Sequence, residues 1–218
     1  PKDRVKTAYK EKKTIIENKL KEKNLKLEDI HILFVAYKAE KQLTMYVKNK
    51  QATQYNKLIS YDICASSGDL GPKRKSGDYQ VPEGFYHIDR FNPASSYYLS
   101  LGVNYPNSSD KIKSTAKDLG GDIFIHGACV TIGCMPMTND KIKEIYIYAL
   151  EAKNNGQNKI PIYIFPFKMT PENIKKYKNS YAEHTSFWEN LKTGYDKFHQ
   201  NYKEISFNID KNGDYQFK

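Results

Sequence analysis

The sequence predicts an α+β fold, a β-rich core with helices before, within and after it. Three patterns carry that expectation. Apolar residues near the N-terminus fall on one helical stripe. Several central runs are strand-sized, either alternating with period two or apolar throughout. Near the C-terminus an aromatic series recurs at spacings of three and four. With 218 residues and roughly 150 residues per domain as a guide, the chain is expected to form a single domain over residues 1–218.

In the segment 1–24, Val5, Ala8, Tyr9, Ile15, Ile16 and Leu20 share a stripe between lysines and glutamates, predicting an amphipathic helix over about 3–23. His31–Tyr37 and Leu43–Lys48 read as a hairpin, with Leu43, Met45 and Val47 on the buried face of the second strand. A further strand runs to Ile63 and Cys64, and a Gly-, Ser- and Lys-rich loop follows from Ser66 to Asp78. Val81-Pro82-Glu83-Gly84 turns into a strand at Phe85–Ile88. Tyr97–Leu101 and Asp122–His126 are further short strands. Thr138 caps a helix whose stripe is Ile142, Ile145, Tyr146, Ala149 and Leu150. Ile160–Phe165 is a buried strand. Thr170-Pro171 starts the first of two helices over 170–203, the second carrying Trp188, Leu191, Tyr195, Phe198 and Tyr202. Asn212-Gly213 turns a final hairpin within 204–218.

Composition narrows the function classes. Lys and Arg total 35 against 25 Asp and Glu, a formal charge of +10 that favours anionic partners such as nucleic acid, lipid headgroups or a carboxylate-rich wall. The densest basic cluster, Lys73-Arg74-Lys75, is too short for a nucleic-acid patch, so no nucleic-acid partner is expected. No apolar run approaches the ~18 residues of a membrane span, so no integral membrane segment is expected. Three cysteines are too few for a disulfide scaffold. The chain starts at Pro1 without an apolar leader, which leaves the compartment undecided.

The chemistry concentrates between Ile123 and Met137. A strand ends in His126-Gly127, and Gly133-Cys134 follows shortly before a helix. A thiol is nucleophilic as thiolate, and its free pKa is about 8.5. An imidazole on the strand end facing a cysteine on the returning loop could take its proton. Gly133 would let the backbone approach a substrate, and the N–H groups of Gly133 and Cys134 could form an oxyanion hole. Two other readings share these residues. His126 could be a buried structural histidine with core-lining cysteines. Alternatively, His126, Cys129 and Cys134 could be three zinc ligands, but nothing nearby supplies a fourth. A Cys129–Cys134 disulfide would disable the nucleophile. Cys64 reads as core; His31, His87, His184 and His199 read as packing or surface residues. Asp210, Asn212 and Asp214 imitate a calcium loop, but the chain stops at Lys218, before the acidic twelfth position. No metal or cofactor is expected.

These residues resemble the YkuD-type L,D-transpeptidase catalytic domain family, in its YafK branch. The resemblance rests on Ile125-His126-Gly127, Gly133-Cys134 and Met137-Thr138, with Ile142-Lys143-Glu144-Ile145-Tyr146 behind them. Cys64-Ala65-Ser66-Ser67-Gly68-Asp69-Leu70-Gly71-Pro72-Lys73, Pro82-Glu83-Gly84-Phe85-Tyr86, Tyr105-Pro106-Asn107, Phe165-Pro166-Phe167-Lys168-Met169-Thr170 and Phe187-Trp188-Glu189-Asn190-Leu191-Lys192 continue it across most of the chain. It implies a mixed β-sandwich-like catalytic domain with N- and C-terminal helices, acting on bacterial peptidoglycan stem peptides in the periplasm or secreted to the envelope. Cys134 would attack the carbonyl on the L-centre of meso-diaminopimelate and form a thioester, with His126 as base and the Gly127 carbonyl orienting the imidazole. Lys73, Tyr105 and Thr131, on loops expected to rim the site, are candidate substrate contacts. The family's usual Ser-His-Gly-Cys is here Thr131-Ile132-Gly133-Cys134, and its usual Arg two residues on is Pro136. Both departures fit the YafK branch and incline the expectation to hydrolysis, as a carboxypeptidase or as an enzyme releasing a lysine-linked outer-membrane lipoprotein. The alternatives are 3-3 cross-linking or lipoprotein attachment, and a non-catalytic wall-binding module.

Overall fold

The computed structural model describes residues 3–218; the N-terminal expectation for residues 1 and 2 lies outside them. Helix α1 (Arg4–Lys21) is capped by the Asp3 carboxylate, which accepts from the Lys6 N–H, and ends with Lys19 and Lys21 in its last turn, as the helix dipole favours. Its buried stripe is Ala8, Lys12, Ile16 and Leu20. Ile15, expected on the stripe, is exposed. Lys12 takes the inward position because Asp140 meets its Nζ at 2.5 Å, with Glu144 at 3.9 Å.

Strands β1 (Ile30–Tyr37), β2 (Gln42–Asn49) and β3 (Asn56–Asp62) form an antiparallel meander. β4 (Gly84–Ser95) and β5 (Tyr98–Val103) form a second hairpin. The short helix α2 (Ser108–Lys113) follows, missed in the sequence although Asn107 and Asp110 form a capping box. Then come β6 (Phe124–His126), β7 (Met135–Pro136), α3 (Asn139–Asn154), β8 (Ile160–Phe165), α4 (Pro171–Tyr177), α5 (Thr185–Asn201) and the hairpin β9 (Phe207–Ile209) with β10 (Tyr215–Phe217). Thr138 and Thr170 cap α3 and α4 as expected.

The architecture is α+β, built on one curled, mixed eight-stranded sheet in the order β3-β2-β1-β8-β4-β5-β6-β7. β1 with β8 and β6 with β7 are parallel; the other pairs are antiparallel. Both faces of the central strands are covered, which explains why β1 is apolar from Ile32 to Tyr37 rather than alternating. Ile32, Phe34 and Ala36 face a cluster that includes Ile16 and Leu20 of α1 and Ile142, Ile145 and Ala149 of α3. Leu33, Val35 and Tyr37 face the aromatic cluster of Phe165, Phe167, Trp188, Leu191 and Phe198. Helix α5 comes close enough that a Cβ on Gly194 would stand 2.4 Å from the Phe85 ring and 2.6 Å from that of Phe217. A side chain there would force α5 off the sheet.

Candidate active site

The site lies at the β5-β6-β7 edge. Ile125 pairs with Met135 and His126 with Pro136 in the parallel β6–β7 register. One residue back, Cys134 flanks Phe124. Alternate residues share a strand face, so Cys134 and His126 project to the same side, about 6.6 Å apart along the strand direction. Both line one cleft of about 410 Å³, with Tyr97, Asp122, Phe124, Val130, Thr131 and Ile132. Cys134 also borders a smaller cavity of about 170 Å³ on its other side, walled by Lys38, Ile63, Val81 and the 65–70 loop. The thiol therefore sits between two recesses.

The segment joining His126 to Cys134 is held at several points. Gly127 N–H donates to the carbonyls of Tyr97 and Leu99. A Cβ on Gly127 would meet Asn139 Oδ1 at 2.6 Å. That same oxygen accepts from Ala128 N–H at 2.8 Å. Ala128 and Cys129 adopt left-handed backbone, φ 64° and 46°, an uncommon state for non-glycine residues that concentrates at functional sites.

The structure revises the cysteine assignments. Cys64, expected in the core, is disulfide-bonded to Cys129, 65 residues away. Cys129 is exposed rather than core-lining. Its bond to Cys64 removes both the Cys129–Cys134 pairing and the thiolate that a zinc site would need. Cys134 is the free cysteine, half-buried. Its Sγ donates to the Asp122 carbonyl at 3.3 Å. Burial pushes its pKa above the usual thiol value, partly offset by a backbone hydrogen bond from Phe124, while Asp122 adds to the rise.

His126 is buried, with Nδ1 2.6 Å from the Gly127 carbonyl oxygen. A carbonyl only accepts, so Nδ1 carries the proton and Nε2 is left with the basic lone pair. Burial lowers the imidazole's pKa, with the Gly127 bond opposing. At neutral pH the pair is thus a thiol and a neutral imidazole. The Tyr97 ring lies over His126, centroids 4.7 Å apart, a contact that no sequence signal announced.

The other predicted residues fall in two groups. Thr131 belongs to the site: Oγ1 accepts from Cys134 N–H and donates to the Cys134 carbonyl, both at 2.9 Å. Lys73 and Tyr105 have inward partners. Lys73 Nζ is 2.6 Å from Asp78 Oδ1 and 2.9 Å from the Lys75 carbonyl. Tyr105 hydroxyl donates to the carbonyls of Lys73 and Leu119. Both polar ends are spent on shaping the 73–78 loop. Gly133, at φ 93°, occupies a conformation that glycine favours, and its N–H donates to Ser67 Oγ at 2.6 Å.

Ser67 was not expected in the site. Its loop is anchored from below by Glu83, fully buried, whose Oε2 accepts from Lys38 Nζ at 2.9 Å and Gly71 N–H at 2.8 Å. Oε1 accepts from Trp188 Nε1 at 2.8 Å. Lys38 Nζ also donates to the Gly71 and Val81 carbonyls. The C-terminal helix α5 is thereby tied to the cleft wall.

Known proteins match this chain. The YkuD family profile, described as the L,D-transpeptidase catalytic domain, matches residues 31–164. YafK of Escherichia coli (strain K12), whose name places it among the L,D-transpeptidases, is 41% identical over 175 residues, covering 79% of this chain and 68% of that protein. The YafK protein of Escherichia coli O157:H7 matches to the same extent. Among solved structures, the helical cell shape determining protein Pgp2 from Campylobacter jejuni shares the fold, with a TM-score of 0.50 at 19% identity over 83% of this chain and 73% of that one.

Proposed function

The chain belongs to the YkuD L,D-transpeptidase catalytic domain family, and on that premise we propose that it performs cysteine-dependent acyl transfer on peptidoglycan stem peptides, with water as the resolving nucleophile. The observation that carries this reading is the placement of the free thiol, Cys134, on the same face as His126 and between two recesses. The steps follow from the residues. A stem peptide lies with the L-centre carbonyl of its meso-diaminopimelate against Sγ. Nε2 of His126 takes the thiol proton as sulfur attacks, and the Gly127 carbonyl steadies the imidazolium through Nδ1–H. The N–H groups of Gly133 and Cys134 receive the developing oxyanion. The imidazolium returns its proton to the leaving amine as the amide C–N bond breaks, leaving a thioester on Cys134. Water, deprotonated by the same imidazole, then cleaves the thioester.

Thiolate formation during the reaction, rather than a resting ion pair, is supported by the opposite shifts of the two groups, thiol up and imidazole down. A place in the cell envelope is supported by the Cys64–Cys129 disulfide, which needs an oxidising compartment. None of the helices among the described residues is long and apolar enough to cross a membrane. The leaving group is a terminal D-amino acid or the lysine of a wall-linked outer-membrane lipoprotein.

The test is mass spectrometry of wall fragments incubated with wild type and Cys134→Ala, offering tetrapeptide stems and lipoprotein-linked stems. Loss of terminal D-Ala, or release of the lipoprotein peptide, with wild type alone is the expected result. Stem dimers joined through two diaminopimelates would replace water by an amine acceptor. No change in any fragment would sink the enzymatic reading in favour of a wall-binding module.

A further inference from the structure

The two N–H groups assigned to the oxyanion are both already hydrogen-bonded. Cys134 N–H is satisfied by Thr131 within its own turn. Gly133 N–H is satisfied from elsewhere, by Ser67 on the loop after β3. Ser67 Oγ accepts from Gly133 N–H at 2.6 Å and donates to the Tyr79 carbonyl at 2.9 Å, so the hydroxyl is fixed at both ends. Its loop is fixed too. Asp69 N–H donates to Gln80 Oε1, Gln80 Nε2 donates to the Asp69 and Gly71 carbonyls, and Gly71 N–H reaches Glu83.

We propose that the Ser67 hydroxyl is a resident occupant of the oxyanion site, one that the substrate must displace, so that Ser67 sets which acyl donors Cys134 accepts. The inference rests on the oxyanion assignment in the proposed function. Displacement needs no loop movement, because rotation of a serine about χ1 swings the oxygen away, and such flips are fast. A neutral carbonyl oxygen offers Gly133 N–H no more than the hydroxyl it replaces. An oxyanion does, since hydrogen bonds to charged acceptors are roughly twice as strong. The donor is thus released mainly as negative charge builds, which favours the transition state over bound substrate. An acyl donor long enough to fill the recesses on both sides of Cys134 can spend its remote contacts on the displacement. A small acyl donor cannot, and feels the obstruction in full.

The test uses a small donor and a reagent that forms no oxyanion. With p-nitrophenyl acetate, a Cys134 S–C bond forms, the ester C–O bond breaks, p-nitrophenolate leaves and the thiol proton passes to His126. Iodoacetamide alkylates the same sulfur by displacement of iodide. Cys134→Ala supplies the background for both. In Ser67→Ala, acylation is expected to be about five-fold faster, the worth of one neutral hydrogen bond, with the alkylation rate unchanged. Ser67→Thr, which keeps the hydroxyl, is expected to acylate at the wild-type rate. Acylation of Ser67→Ala that is unchanged, slower, or altered only in step with alkylation overturns the proposal. The stem-peptide assay is read separately. Failure there with a faster Ser67→Ala acylation rejects the substrate and leaves the role of Ser67 standing.

Discussion

Lys38→Met isolates the energetics of the buried node under the cleft. Glu83 is fully buried and Lys38 supplies its counter-charge at 2.9 Å. Removing the ammonium leaves a carboxylate in the interior facing only the neutral donors of Gly71 and Trp188. Breaking one side of a buried pair costs about 3–5 kcal/mol, because the remaining charge is uncompensated. For a chain of this size each kcal/mol lowers Tm by roughly 2–4 °C, so a fall of about 6–20 °C is expected. The sequence has a single tryptophan, and its indole donates into the node, so Trp188 fluorescence during thermal unfolding is both assay and local reporter. The second arm is Lys38→Met with Glu83→Gln. The neutral amide can still accept from Trp188 and can donate to a carbonyl that Lys38 vacates, while Gly71 N–H loses its acceptor, so the double variant is expected to regain only part of the loss. A fall below about 3 °C for Lys38→Met, or a double variant less stable than the single, would refute the argument that charge compensation holds this loop.

Two further predictions concern the site and its tether. The Cys64–Cys129 bond has a sequence separation of 65, for which loop-closure entropy gives about 4 kcal/mol of stabilisation. Cys64→Ser with Cys129→Ser is therefore expected to lower Tm by roughly 8–16 °C while Cys134 still titrates with a thiol reagent, measured on oxidised wild type as reference. His126 has its pKa lowered from 6.5 by burial. The base must be neutral to work, so acylation is expected to hold level through neutral pH and fall only as pH drops through that lowered value. In His126→Ala the level region should vanish and acylation at pH 7.5 should drop ~100-fold or more; pH–rate profiles of both proteins check this. An alkylation rate at Cys134 that ignores loss of the imidazole would contradict the activation scheme.

The scaffold was readable where local patterns are strong. β8 is found over the expected Ile160–Phe165 span, and α3 and α5 follow their apolar stripes, because each buries a face whose period is written along the chain. The turn residues also announced the last hairpin, β9–β10. What was not readable is long-range. The pairing of His126 with Cys134 was anticipated as a strand-end histidine facing a cysteine on the returning loop, but not the parallel register that sets it, between a three-residue and a two-residue strand too short to show periodicity. Cys64 and Cys129 are brought together by folding across the sheet, and Cys64's place at the end of a strand made it look like core. Lys12 sits on the buried stripe of α1 because acidic partners come from α3, which no window on α1 contains. Ser67 lay in a Gly-, Ser- and Lys-rich loop distant in the chain from residues 126–134, whereas its hydroxyl meets the turn that carries Cys134.

The disulfide also bears on how the protein is made. Three cysteines can be joined in three ways as a single bridge, and two of those consume Cys134. Only the Cys64–Cys129 bridge leaves the Cys134 thiol free. The bonded partners are 65 residues apart, whereas Cys129 and Cys134 are near neighbours in the chain, and the shorter loop closes more readily in an unfolded polypeptide. Oxidation before the sheet has assembled therefore favours the dead-end bridge, and thiol–disulfide exchange by the Cys64 thiolate is the route back. The yield of protein with a free Cys134 is set by the order of two events, pairing of the strands and loss of the thiols, so that the redox conditions met during folding decide how much of the protein carries that thiol.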